Sequence, residues 1–175
     1  MKNVSSAKDT LLLEEIAYAG DQSTEFDEYI HARESTVAPM DGLSEATGSK
    51  ILHSGWHVPC HCIVVRTREG ICQVFHVQPN KFSASLLTWQ QEKALRELAQ
   101  QDARAIVAKG IRSWFGTADA RELERMKIEL QKVISVDTDQ WWRLLYDPAS
   151  DELWIDEKVK RLLTKHKGFD LKLQS

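Results

Sequence analysis

The chain has 175 residues, 42% of them hydrophobic and 28% charged, a composition that excludes wholesale disorder and predicts one domain over residues 1–175. Its net charge of −3 and pI near 6.1 exclude a protein whose main partner is nucleic acid, because phosphate binding needs a concentrated basic surface. No apolar run approaches the roughly 18 residues of a membrane span, and the start, Met1-Lys2-Asn3-Val4 with Leu11-Leu12-Leu13 followed by two acids, does not match a secretory signal.

Three cysteines, Cys60, Cys62 and Cys72, crowd into one segment. Their odd number and close spacing predict free thiols in a reducing, cytoplasmic setting rather than a disulfide framework. Acids collect near the start (Glu14, Glu15, Asp21, Glu25, Asp27, Glu28) and bases near the end (Lys158, Lys160, Arg161, Lys165, Lys167, Lys172). Such runs form solvated faces or a docking surface for a protein partner.

In chain order, residues 1–10 are polar and expected to fray. Leu12, Leu13, Ile16 and Ala17 fall at helical spacing and predict a short helix over 11–19. Residues 20–50 are rich in Ser, Thr, Gly and acids, and read as a loop-rich segment with one helical turn around 26–32. The strongest element is a β-hairpin: Cys60–Arg66 and Ile71–Val77 are apolar and β-branched, joined through Arg68-Glu69-Gly70 with Gly in the left-handed position. In that register Val64 faces Val74 and Cys62 faces His76. Cys60, Cys62, Val64, Cys72, Val74, His76 and Gln78 share one face, and both faces are apolar enough to predict a central, doubly covered position.

Thr88 is expected to cap a helix with Gln91 as its capping-box partner, and an apolar stripe (Leu95, Leu98, Ala99, Ile106, Val107) extends that helix to Gly110. Thr117 is expected to cap a second helix with the stripe Leu123, Met126, Leu130, Val133 and Ile134. Trp142–Tyr146 and Glu152–Ile155, around Asp147-Pro148-Ala149-Ser150-Asp151, predict a second hairpin. A last helix is expected over about 156–167, ending at Gly168. The elements predict an α/β (α+β) fold: a central, mostly antiparallel sheet with helices packed against it.

The chemistry gathers in His57-Val58-Pro59-Cys60-His61-Cys62, with His76 returning on the adjacent strand. An imidazole beside a thiol can favour the thiolate and so create a nucleophile, and Pro59 fixes the direction in which the chain reaches the strand. Cys60 at the head of the strand is the preferred nucleophile over the more deeply placed Cys62. Cys72 reads as a core residue. Trp56 is placed to form a pocket wall, and Gln78 to orient His76 or line an oxyanion pocket. Other readings of the same residues stay open. Cys60 and His76 can be a buried small hydrophobe and a satisfied core histidine, His57, Cys60, Cys62 and His76 can hold zinc, and Cys60 with Cys62 can sense redox state.

The run Ser54-Gly55-Trp56-His57-Val58-Pro59-Cys60, the strand Ile63-Val64-Val65, the Gly70 turn and Phe75-His76-Val77-Gln78-Pro79 resemble the catalytic core of CheD-type chemoreceptor glutamine deamidases and cytotoxic necrotizing factor-like toxins. Pro59 and Val74-Phe75 depart from that pattern. The resemblance implies a cysteine hydrolase acting on a protein glutamine, with Cys60 as nucleophile, His76 as base and Ser54 as the hydroxyl that orients it, and with no cofactor. The alternative is a non-catalytic protein-binding module, an immunity protein or effector-type adaptor, using the aromatic second hairpin as its contact surface.

Overall fold

The computed structural model describes residues 16–19, 22–38, 43–46, 50–56, 60–77, 87–110, 117–136 and 140–169. In order these form β1 (Ile16–Ala19), α1 (Gln22–His31), β2 (Ser35–Val37), β3 (Leu43–Ala46), β4 (Ile51–His53), β5 (His61–Thr67), β6 (Cys72–Val77), α2 (Trp89–Ala99), β7 (Ala103–Gly110), α3 (Thr117–Arg125), β8 (Glu129–Val136), β9 (Trp142–Asp147), β10 (Glu152–Glu157) and β11 (Leu162–Lys167). The strands make a six-stranded sheet, β1-β11-β10-β9-β4-β2, and a five-stranded sheet, β3-β6-β5-β7-β8. Pairing is antiparallel except for β2 with β4 and β7 with β8. The second of these needs a crossover, which α3 supplies.

Side-chain alternation explains the layering. Cys62 and Val64 on β5, and Cys72 and Val74 on β6, meet Leu144, Tyr146, Leu153 and Ile155 of the other sheet in one buried cluster. The opposite faces of the same strands, with Ile63, Val65, Phe75 and Val77, pack under Leu95 and Leu98 of α2 and Leu123 and Met126 of α3. Phe26 of α1 covers the outer face of the six-stranded sheet on Ile51, Leu145, Trp154 and Leu163. The order is thus α1, six-stranded sheet, five-stranded sheet, α2 with α3. Both faces of the β5–β6 hairpin are buried, as its two apolar faces require.

The hairpin has the expected register, with Cys62 opposite His76 and Val64 opposite Val74. Thr67 N–H donates to Ile71 O at 2.9 Å, and Gly70 sits at φ +93°, where a side chain is costly. The second hairpin also forms, β9 pairing with β10 from Trp142–Glu157 to Asp147–Glu152. Asp147 Oδ1 accepts from Ala149 N–H at 2.8 Å and holds its turn.

Four helical expectations are corrected. Residues 16–19 are strand β1, paired with β11, while 11–15 lie outside the described residues. The helix capped by Thr88 ends at Ala99, and Ile106 and Val107 belong to β7. Their run is apolar on both faces because Ile106 and Ala108 pack on the other sheet and Ala105 and Val107 lie under α2 and α3, a pattern that a buried helix segment shares. The next helix stops at Arg125, and Leu130, Val133 and Ile134 belong to β8. Residues 156–167 are the end of β10, a turn, and β11. Asp102, Lys127 and Arg161 mark these breaks at φ +54°, +63° and +48°. Gly168 is therefore no helix terminus: a Cβ there would collide with the Asp151 side chain, and Gly168 N–H donates to Asp151 O at 2.7 Å. In the 20–50 segment, the expected helical turn is the longer α1.

Candidate active site

Three polar or sulfur-bearing residues lie around Cys62 at one end of the layer between the sheets. His76 faces Cys62 across the β5–β6 ladder. Its side chain alternates with Cys72 and Val74, so it shares the face turned toward the six-stranded sheet. Ser54 reaches the same place from that sheet, one residue past β4. Its N–H donates to Leu144 O at 2.9 Å, its Oγ accepts from Leu144 N–H at 3.0 Å, and its hydroxyl donates to Gly55 O at 2.9 Å. These bonds carry the β4–β9 ladder past His53 and fix the hydroxyl rigidly. Cys60 stands immediately before β5, two residues from Cys62.

Relative exposures are 2% for Ser54, 3% for Cys60, 0% for Cys62 and 2% for His76. Burial pushes the Cys62 thiol far above its ordinary range. The hydrogen-bonding Ser54 hydroxyl offsets part of that, and the neighbouring Cys60 adds to it. Cys72 is pushed up to about 11, first by burial, and its partial compensation comes from Arg66. Neither is a useful nucleophile near neutral pH. His61, on the other face, is held down to about 4 by burial and then by the charge of His76, so it is neutral at pH 7.

The structure gathers Ser54, Cys60 and His76 around Cys62. It does not bring Trp56 to them: that ring lies 4.3 Å from the Arg143 guanidinium, which Phe26 of α1 also covers at 4.0 Å. Arg143 is held by buried Asp156 at 2.8 Å and by Asp27 at 2.7 Å, so Trp56 closes a polar cluster on the α1 side of the sheet. His57, Pro59 and Gln78 lie outside the described residues. Among the described residues no three His, Cys, Asp or Glu side chains group as metal ligands, and His57 of the zinc reading lies outside them.

Gln91 has a second role that its capping-box spacing does not reveal. Its Oε1 accepts from Thr88 N–H at 3.1 Å, while its Nε2 donates to the His76 carbonyl at 2.9 Å. A fully buried side chain thereby ties the start of α2 to the strand position that carries the candidate base. The paired Thr88 and Gln91 were legible in the sequence, but the reach to His76 depends on how α2 lies on the sheet. No protein-family model matches the chain, and no curated protein matches it.

Proposed function

We propose that the chain is a cysteine hydrolase of the protein-glutamine deamidase type, with Cys60 as nucleophile and His76 as base. The observation that supports it most is that Cys62 has Ser54 and Cys60 beside it and His76 opposite it on the next strand, while burial raises the Cys62 thiol itself and leaves Cys60, at the strand entry, as the candidate nucleophile. The Cys60 thiolate would attack the glutamine carboxamide carbon to form a tetrahedral oxyanion. His76, as imidazolium, would protonate the departing ammonia and leave a thioester. It would then take a proton from water, whose attack releases a glutamate side chain and the free thiol. Ser54, already fixed by Leu144 and Gly55, serves as a positioning residue for this face. The free state of all three cysteines supports a reducing, cytoplasmic location, and among the described residues no helix is long and apolar enough to cross a membrane.

A second reading, a non-catalytic protein-binding module, is favoured by the deep burial of Ser54, Cys60 and His76, which a Cys/His core layer also produces. Of its sequence-based contact surface, Trp142, Tyr146 and Trp154 are core residues, and Trp141 is the exposed aromatic of that hairpin. The two readings separate in one assay. The full chain is incubated with a glutamine-rich protein such as casein, and released ammonia and glutamine-to-glutamate conversion are followed by mass spectrometry. Ammonia release that Cys60→Ala and His76→Ala both abolish supports the hydrolase. No conversion by the native chain, together with no thiol faster than free cysteine, supports the binding module.

A further inference from the structure

The edge strand of the five-stranded sheet, β8, runs beside β10 and β11 of the other sheet and leaves a cleft of about 260 Å³ between them. Its floor is the inner face of β10 and β11. That face also carries Leu153 and Ile155 of the inter-sheet core, and Ile155 itself lines the cleft with Leu162. Beside them it carries buried polar groups: Glu157 is 5% exposed, Thr164 5% and His166 8%. They place a carboxylate, a hydroxyl and an imidazole on the inward side of the sandwich, alongside Ile155 and Leu162 of the same cleft floor. Register sets their order. Glu157 lies opposite Leu162, Ile155 opposite Thr164, and Leu153 opposite His166, so the carboxylate is at one end, the hydroxyl in the middle and the ring at the other.

The opposite wall is apolar, with Ile134 and Val136 of β8. At the mouth Lys160 Nζ stands 3.5 Å from Glu157 Oε1, with the lysine side chain 43% exposed and the glutamate 7%. A half-exposed lysine in such a pair contributes little to stability, and its long stem lets the ammonium swing toward solvent. The cleft thus offers a fixed buried anion and a movable cation side by side, then a hydroxyl, then an apolar wall ending at an imidazole.

We propose that this cleft binds a free α-amino acid. The ligand ammonium pairs with Glu157, its carboxylate with Lys160 and the Thr164 hydroxyl, and its side chain lies along Ile134 and Val136 toward His166. The volume lies just below the roughly 300–1,000 Å³ of drug-sized ligand clefts, which suits one amino acid and excludes a nucleotide or a folded peptide segment. The site is independent of the chemistry assigned to Cys60.

The full chain is titrated with each common L-amino acid, and with propylamine and propionate separately, by thermal shift and calorimetry. At least one L-amino acid is expected to bind saturably, with propylamine and propionate inert. Glu157→Gln should weaken binding by about thirtyfold or more, as removal of a buried charge partner does. If that variant does not fold, the near-isosteric Thr164→Val and the exposed Lys160→Ala carry the test, and each should weaken binding. The proposal is overturned if no amino acid binds, if propylamine or propionate binds as well as the amino acid, or if Thr164→Val and Lys160→Ala both bind like the native chain.

Discussion

Alkylating the native chain with iodoacetamide at neutral pH tests the nucleophile assignment directly, because burial raises the Cys62 and Cys72 thiols, whereas the proposal gives Cys60, itself only 3% exposed, an imidazole that offsets its burial. Cys72 is fully buried and its thiol is pushed up to about 11, against an ordinary value of 9.0. Two units correspond to about a hundredfold smaller thiolate population at neutral pH, before any steric exclusion is counted. Cys62 is raised further by its complete burial, so it is slower still. Both should be silent on a timescale where Cys60, assisted by His76, is modified. Rates are read by mass spectrometry of the intact chain in the native protein and in Cys60→Ala, Cys62→Ala and Cys72→Ala, with labelling in urea to confirm the remaining thiols. The expected result is one fast site, retained in Cys62→Ala and Cys72→Ala and lost in Cys60→Ala. In His76→Ala the rate profile should move to higher pH, with about a tenfold loss at pH 7 for each unit of displacement. A fast thiol that survives Cys60→Ala refutes the assignment, and coincident profiles for native chain and His76→Ala make the histidine structural.

Three further outcomes follow from the packing. Arg143→Met leaves the fully buried Asp156 carboxylate without its guanidinium and should cost about 3–5 kcal/mol, whereas Asp27→Asn removes a half-exposed partner and should cost about 0–1 kcal/mol. Urea midpoints that fall equally in both variants would show that burial does not control this cluster. His61 is depressed to about 4 from 6.5, so the unfolded chain binds a proton first. Stability should therefore fall as pH drops from 6.5 to about 4, by roughly 3 kcal/mol at most, and level off below. His61→Leu should flatten that part of a pH–stability curve, and an unchanged slope refutes the shift. Gln91→Ala removes the bonds to Thr88 and His76 and should cost about 2 kcal/mol, measured by equilibrium unfolding. A loss no larger than that of Thr88→Ala would mean the tie to His76 contributes nothing.

What local chemistry dictates was readable from residue order. The β5–β6 hairpin follows from period-two alternation and a Gly in the left-handed position: Gly70 lies at φ +93°, and with the turn in place Cys62 must face His76. The Thr88–Gln91 box is equally local, since both partners lie within one helical turn. The α+β class follows from the same elements. Helix ends were not readable in this way. The chain breaks at Asp102, Lys127 and Arg161, residues that carry a Cβ and gave no glycine-like signal, while the apolar runs beyond two of those breaks fit a buried strand as well as a helix stripe. Strand pairing decides between them: β7 is a strand because β5 and β8 take up its backbone groups on both sides, and β11 because β10 and β1 do. The same long-range pairing sets the candidate site. Ser54 meets Cys62 only because the two sheets stack, Trp56 turns away because Arg143 lies on the opposite face of its sheet, and the Glu157–His166 row lines a cleft only because β8 is an edge strand. Alternation and turn chemistry act over a few residues, whereas stacking depends on contacts across the whole chain, and no local pattern encodes which faces will meet.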